Sequence, residues 1–119
     1  MRTQCRCGCG INNLHPRLSE MLSMAKKRYI ELYNESIEFS SVCRCPAWNK
    51  KVGGSRTSSH LTTKKKQCLA ADVVCKTSRK RYRLMAVLHE VGFRRFGVAS
   101  TFLHADIDDK KASPIIFVY

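Results

Sequence analysis

The feature that most constrains this chain is a set of ionisable side chains placed inside β-forming runs. Asp72 interrupts Ala70-Ala71-Asp72-Val73-Val74, and His104 and Asp106 interrupt Phe102-Leu103-His104-Ala105-Asp106-Ile107. Small, β-branched and aromatic neighbours mark both stretches as strands. A carboxylate or imidazole carried into a sheet interior must be paired, hydrogen-bonded or metal-bound, because burying it alone costs several kcal/mol. Alternation puts His104 and Asp106 on one face of their strand. Of the other histidines, His15 precedes a helix and His89 lies within one, which suits surface or core-edge positions. His60 follows Thr57-Ser58-Ser59 at a loop edge. On spacing alone, His60, Asp72 and His104 read either as a three-donor metal site or as satisfied polar groups at strand ends.

The rest of the chain supplies a frame for those strands. Pro16 suits a first helical turn. Leu18, Met21, Leu22, Ala25, Tyr29, Leu32 and Tyr33 then recur at three- and four-residue steps, predicting an amphipathic helix over roughly 16–34. Ile37, Phe39 and Ser41 alternate with polar residues as a short strand. Pro46 opens a short helix ended by Gly53-Gly54. Residues 55–69 are polar and basic and read as an exposed loop. Ser78 is placed to cap a second long helix over roughly 79–91, with Tyr82, Met85, Leu88 and Val91 on its apolar face. Phe102–Ile107 and Ile115–Tyr119 are the last strand candidates, joined by a turn through Asp108-Asp109-Lys110-Lys111 and Pro114. The expected fold is α+β: one domain over 1–119, with two main helices packed on one face of a small, largely antiparallel sheet. Its 119 residues suit one such domain.

Charge and cysteines open other readings. Twenty-two Lys and Arg against nine Asp and Glu give a net charge of +13. That admits nucleic acid as a partner, and equally the polyanions of a bacterial envelope. Tyr82, Phe93 and Phe96 offer base-stacking surfaces on the first view and core packing on the second. Seven cysteines, at 5, 7, 9, 43, 45, 68 and 75, cannot all pair within one chain. Cys5, Cys7 and Cys9 form C-x-C-x-C, and Cys43 and Cys45 form C-x-C. These spacings differ from the C-x2-4-C pairs of zinc knuckles, so they leave a thiolate metal cluster and idle buried thiols both open. No apolar run is long enough to span a membrane. The opening Met1-Arg2-Thr3-Gln4-Cys5 lacks the apolar core of a signal peptide, so synthesis in a cytoplasm is expected.

Four ordered segments carry a resemblance. Ser41-Val42-Cys43-Arg44-Cys45-Pro46-Ala47-Trp48-Asn49 running to Gly53-Gly54, then Ser58-Ser59-His60-Leu61, then Ala70-Ala71-Asp72-Val73, then Thr101-Phe102-Leu103-His104-Ala105-Asp106, resemble the zinc D-alanyl-D-alanine carboxypeptidase family. That family includes bacteriophage endolysins and shares its fold with the hedgehog signalling domain. The Cys- and Gly-rich lead, Cys5 to Gly10, is similar to an opening found in the same family. The resemblance implies a zinc ion (Zn2+) held by His60, Asp72 and His104, activating water against a peptide bond. It also implies a catalytic or substrate-binding role for Arg44, whose planar cation suits a carboxylate or an oxyanion. Ser58 would contact substrate or orient its neighbours.

Two departures from the family pattern stand out. His60 and Asp72 lie twelve positions apart, farther than the family usually places them, and the extra residues fall within 62–69. A surface loop absorbs such an insertion for under about 1 kcal/mol of closure entropy. The position where many relatives carry a general base is Thr101, which cannot act as one near neutral pH. Asp106 is then the candidate, as the base or as the group that orients His104. The expected function is a zinc metallopeptidase acting on peptidoglycan peptides, as carboxypeptidase or endopeptidase, reaching the wall or periplasm after lysis or viral delivery. The alternatives are an inactive wall-binding relative and a basic nucleic-acid module with a cysteine-held metal. A basic surface of Lys76, Arg79, Lys80, Arg81, Arg83, Arg94 and Arg95 is expected to attract envelope polymers, and the four ordered segments, not the charge, argue against nucleic acid as the partner.

Overall fold

The computed structural model describes residues 1–119. Helix α1 spans Pro16–Tyr33. His15 caps it through Nδ1, which accepts from the Arg17 amide at 3.1 Å, and Pro16 occupies the first turn, where its missing N–H costs nothing. Asn34 ends it in the left-handed region at φ 54°. Leu18, Met21, Leu22, Ala25 and Tyr29 are buried as their spacing predicts, whereas Leu32, near the helix end, is exposed. Strand β1 (Phe39–Ser41) and helix α2 (Pro46–Lys51) follow.

Strand β2 (Ala70–Val74) precedes helix α3 (Ser78–Glu90). The cap of α3 is Thr77, one residue before the expected Ser78, with its hydroxyl accepting from the Lys80 amide at 3.2 Å. The buried face of α3 also differs from expectation. Leu84, Val87 and Leu88 are buried, and Tyr82 is 76% exposed. Of the expected face, Leu88 is buried and Met85 and Val91 pack against the core; only Tyr82 turns outward, and Leu84 and Val87 extend the buried face instead. Strand β3 (Arg95–Val98), unforeseen in a stretch rich in arginine and glycine, leads through a tight turn into β4 (Phe102–Asp106), and β5 (Ile115–Val118) closes the sheet.

The strand order is β1-β2-β4-β3-β5. All neighbours are antiparallel except β3 and β5, which run parallel. Register decides what each face carries. Ala71 stands opposite Ala105 and Val73 opposite Leu103, and all four are buried in the apolar core with α1 and α3. One residue along, Asp72 stands opposite His104, and Arg95 stands opposite Asp106. Alternation therefore turns those ionisable groups to the other face. Phe93 and Phe96 belong to the core, so they are not stacking platforms for bases. The sheet is helix-covered and apolar on one side, and carries a polar constellation on the other.

Candidate metal centre

His60 reaches the polar face from the loop after α2. The segments before and after it are stitched together by main-chain bonds. The Arg44 amide donates to the His60 carbonyl at 3.0 Å, and the Thr62 amide donates to the Arg44 carbonyl at 2.8 Å. Residues 55–69 are thus irregular, as expected, but not simply exposed: Ser59, His60, Thr62 and Cys68 are buried. Only the lysine tip projects, in a turn where Thr63 Oγ1 accepts from the amides of Lys65 and Lys66. The insertion closes on itself where the Leu69 amide donates to the Ser59 carbonyl at 2.9 Å. That closure sets His60 beside β2 despite the longer spacing.

Three donor atoms converge there. Asp72 Oδ1 lies 3.1 Å from His60 Nε2 and 2.9 Å from His104 Nδ1. All three residues are buried, with exposures of 7% or less. The remaining polar atoms identify what this cluster accepts. His60 Nδ1 is 2.7 Å from the Val42 carbonyl, which only accepts, so this nitrogen carries the proton. Burial holds the His60 imidazole below its ordinary pKa despite the pull of Asp72. A neutral His60 therefore points a lone pair at the Asp72 carboxylate. His104 Nε2 lies 2.7 Å from Asp106 Oδ2, so a proton there leaves Nδ1 as a second lone pair toward Asp72. Two lone pairs and a carboxylate oxygen around one point repel one another unless a proton or a metal cation lies between them. Two imidazoles and a carboxylate are the donor set of an open zinc site.

The surroundings fix these donors. Asp106 Oδ1 accepts from Arg95 Nε at 2.8 Å and from the Asp108 amide at 3.0 Å. Arg95 Nη1 also donates to the Ala112 carbonyl. Arg95 is 8% exposed, so it belongs to the site and not to the basic surface where the sequence placed it. Its charge is balanced by Asp106, which explains how a strand interior tolerates it. Burial acts to raise the carboxyls of Asp72 and Asp106. In the metal-free protein, the neighbouring imidazoles of His104 and His60 beside Asp72, and His104 with the Asp108 amide beside Asp106, outweigh it and hold both below the usual range. Burial likewise acts to lower His104, but Asp106 and Asp72 raise it.

A cavity of about 620 Å3 opens over the cluster, and its walls include Arg44, Ser58, His60, Asp72, His104 and Asp106. Arg44 enters it from just before α2. Its Nη1 donates to Asn49 Oδ1 at 3.3 Å, while its buried Nε has no partner. Burial lowers its pKa. Gly54 allows this placement, since a Cβ there would meet Asn49 Oδ1 at 2.1 Å and Arg44 Nη1 at 2.9 Å. Ser58 Oγ accepts from the His60 amide at 3.2 Å. Thr101 is exposed and is not part of the cavity wall.

Sequence reading missed the aromatic wall. Phe117 and Tyr119 lie 5.7 and 6.4 Å from the His104 ring, and Phe102 packs on Tyr119 at 5.1 Å. They sit over Gly97, where a Cβ would meet the Phe117 ring at 2.5 Å. The one available signal was that glycine between Phe96 and Val98, since glycine inside a strand marks a close approach.

No curated protein and no solved structure matches the chain. The family model described as Peptidase M15 matches residues 2–108, a span that holds His60, Asp72, His104, Asp106, Arg44 and Ser58. With nine-tenths of its length matched, and His60, Asp72 and His104 brought together as a group able to hold a metal, the chain belongs to the Peptidase M15 family.

Proposed function

We propose that the chain is a zinc metallopeptidase that hydrolyses peptide bonds of bacterial peptidoglycan. The observation that carries this reading is Asp72 Oδ1 between His60 Nε2 and His104 Nδ1, with Arg44 on the wall of the same cavity. Peptidases of this family are zinc-dependent, and His60, Asp72 and His104 are the residues that would hold the ion. Bound zinc supplies Lewis-acid chemistry, acidifying water and polarising the scissile carbonyl.

The chain's own groups do the rest. Arg44, with a buried Nε left unpaired, binds a substrate carboxylate or the developing oxyanion; Arg44→Ala is expected to lower kcat/KM by about 100-fold or more. Asp106 has both oxygens engaged, by Arg95, the Asp108 amide and His104. Its role on this reading is to fix the ring and tautomer of His104, as a positioning residue rather than the base. Ser58 orients the His60 backbone and offers a hydroxyl to the substrate. The exposed Lys76, Arg79 and Arg94 would hold the enzyme on anionic wall polymers, so its adsorption to purified walls should fall as salt rises. Such an enzyme works at the wall or periplasm, released at lysis or delivered by a virion.

Digestion of purified peptidoglycan, followed by mass spectrometry of the released peptides, tests this. New termini are expected with zinc present and none after His60→Ala. Loss of a terminal residue marks a carboxypeptidase, and opened cross-links mark an endopeptidase. A zinc-loaded protein that makes no new termini across neutral and mildly alkaline pH overturns the enzymatic reading in favour of a wall-binding one.

A further inference from the structure

Residues 1–13 contain no helix and no strand, yet Thr3 and Cys5 are buried. The lead is fastened at intervals: Thr3 accepts from the Cys43 amide at 3.0 Å, and Cys5 donates to the Ile11 carbonyl at 2.9 Å. Between those points four thiols from two distant parts of the chain meet. The Sγ atoms of Cys5, Cys7, Cys9 and Cys45 all lie within 4.8 Å of one another. Cys5 and Cys7 are 3.5 Å apart, and Cys7 and Cys45 are 3.7 Å apart.

These spacings are diagnostic. A disulfide requires about 2.05 Å between sulfurs. A tetrahedral ion with metal–sulfur bonds of about 2.3 Å sets its sulfurs about 3.8 Å apart. The backbone is arranged for thiolates as well. Amides of Cys45, Trp48 and Cys9 are directed at the sulfurs of Cys5, Cys45 and Cys7, each at 3.4 Å. Such bonds offset thiolate charge around a metal. In a plain strand Cys5, Cys7 and Cys9 would share one face but stand about 7 Å apart at each step; Gly8 and Gly10, at φ 90° and 79°, curl the segment so that its sulfurs close around one point.

The other cysteines stay apart. Cys43 Sγ is directed at Asn12 Oδ1 at 3.6 Å, and Cys68 Sγ at the Val42 carbonyl at 3.3 Å.

We propose that Cys5, Cys7, Cys9 and Cys45 hold a second metal, a structural zinc in a closed tetrathiolate site separate from the His60, Asp72 and His104 centre. Cys45 caps α2 and directly follows Arg44. Arg6, between two of the ligands, lies on the cavity wall. The site therefore clamps the lead to the start of α2 and holds both arginines at the cavity. It does not depend on the peptidase reading.

Metal analysis of the full-length protein, purified under reducing conditions, tests the proposal. One zinc per chain should survive in His60→Ala, and Cys9→Ser, at an exposed ligand, should lose one zinc relative to the parent. Unchanged zinc in Cys9→Ser, or no zinc left in His60→Ala, overturns the site. Should Cys9→Ser fold poorly, cobalt loading of the unmutated cysteine set in His60→Ala decides. An intense thiolate-to-cobalt charge-transfer band is expected, and bound cobalt without it overturns the proposal. An intact mass showing a disulfide among the four cysteines does the same. Loss of zinc only from the histidine centre would leave this site standing and remove the peptidase site instead.

Discussion

Asp106 shows how much one carboxylate organises. It neutralises Arg95, accepts the Asp108 amide and receives His104 Nε2. Asp106→Asn is expected to weaken zinc binding by about 10–100-fold, measured by chelator competition, because the amide no longer selects the right His104 tautomer. Arg95→Met should weaken it less, since Asp106 keeps its other two partners; equal losses would place the effect in Arg95. Tyr29 presents the opposite case. Its ring is buried and its hydroxyl has no partner. Tyr29→Phe should leave stability unchanged or raise it by up to about 1 kcal/mol in urea unfolding, since it removes a desolvated group that gains nothing in return.

At the scale of elements, β3 and β5 matter most. Gly97 lets Phe117 and Tyr119 lie across β3 against His104. The family match ends at residue 108, so β5 lies outside it. Gly97→Ala would push the aromatic wall off its seat. We expect a KM raised several-fold with zinc content unchanged, from steady-state kinetics and metal analysis on the same preparation. Strand β5 was legible as Ile115–Tyr119 and is observed over Ile115–Val118, whereas β3 was the least legible part of the chain. Arg95-Phe96-Gly97-Val98 looks like charged surface because its arginine is neutralised by a residue eleven positions away. Helices α1 and α2 were legible because proline starts and local periodicity encode them. The buried face of α3 was legible only in part, because Tyr82, Met85 and Leu88 fit helical spacing as well as Leu84, Val87 and Leu88 do, and packing turns Tyr82 outward.

The molecule as a whole places an apolar core on one face of a thin sheet and buried charge on the other, and that division sets its response to pH. Without metal, Asp72 and Asp106 titrate below the unfolded value of about 3.9. The stability they contribute is fully present above about pH 4 and is lost as pH falls through their lower folded values. His104 is raised, so its contribution is present below about pH 6.5 and is lost as pH rises through the folded value. Urea unfolding of chelator-treated protein should show an acid limb whose slope decreases in Asp72→Asn by up to about 1.4 kcal/mol per pH unit. An identical limb in that variant would assign acid lability to other groups.

Helix starts, most strand positions, and the chemistry open to His60, Asp72, His104 and Asp106 follow from residue type and spacing. Those are local properties, and imidazoles and carboxylates inside apolar runs demand partners wherever they land. Tertiary structure alone decided the pairings: Asp72 opposite His104, Arg95 with Asp106, Cys45 rather than Cys43 beside the cysteine lead, and the aromatic wall over Gly97. The reason is physical. Strand order and register are set by burial of the whole apolar face against α1 and α3, and a one-residue slip in any strand would exchange the polar face for the core.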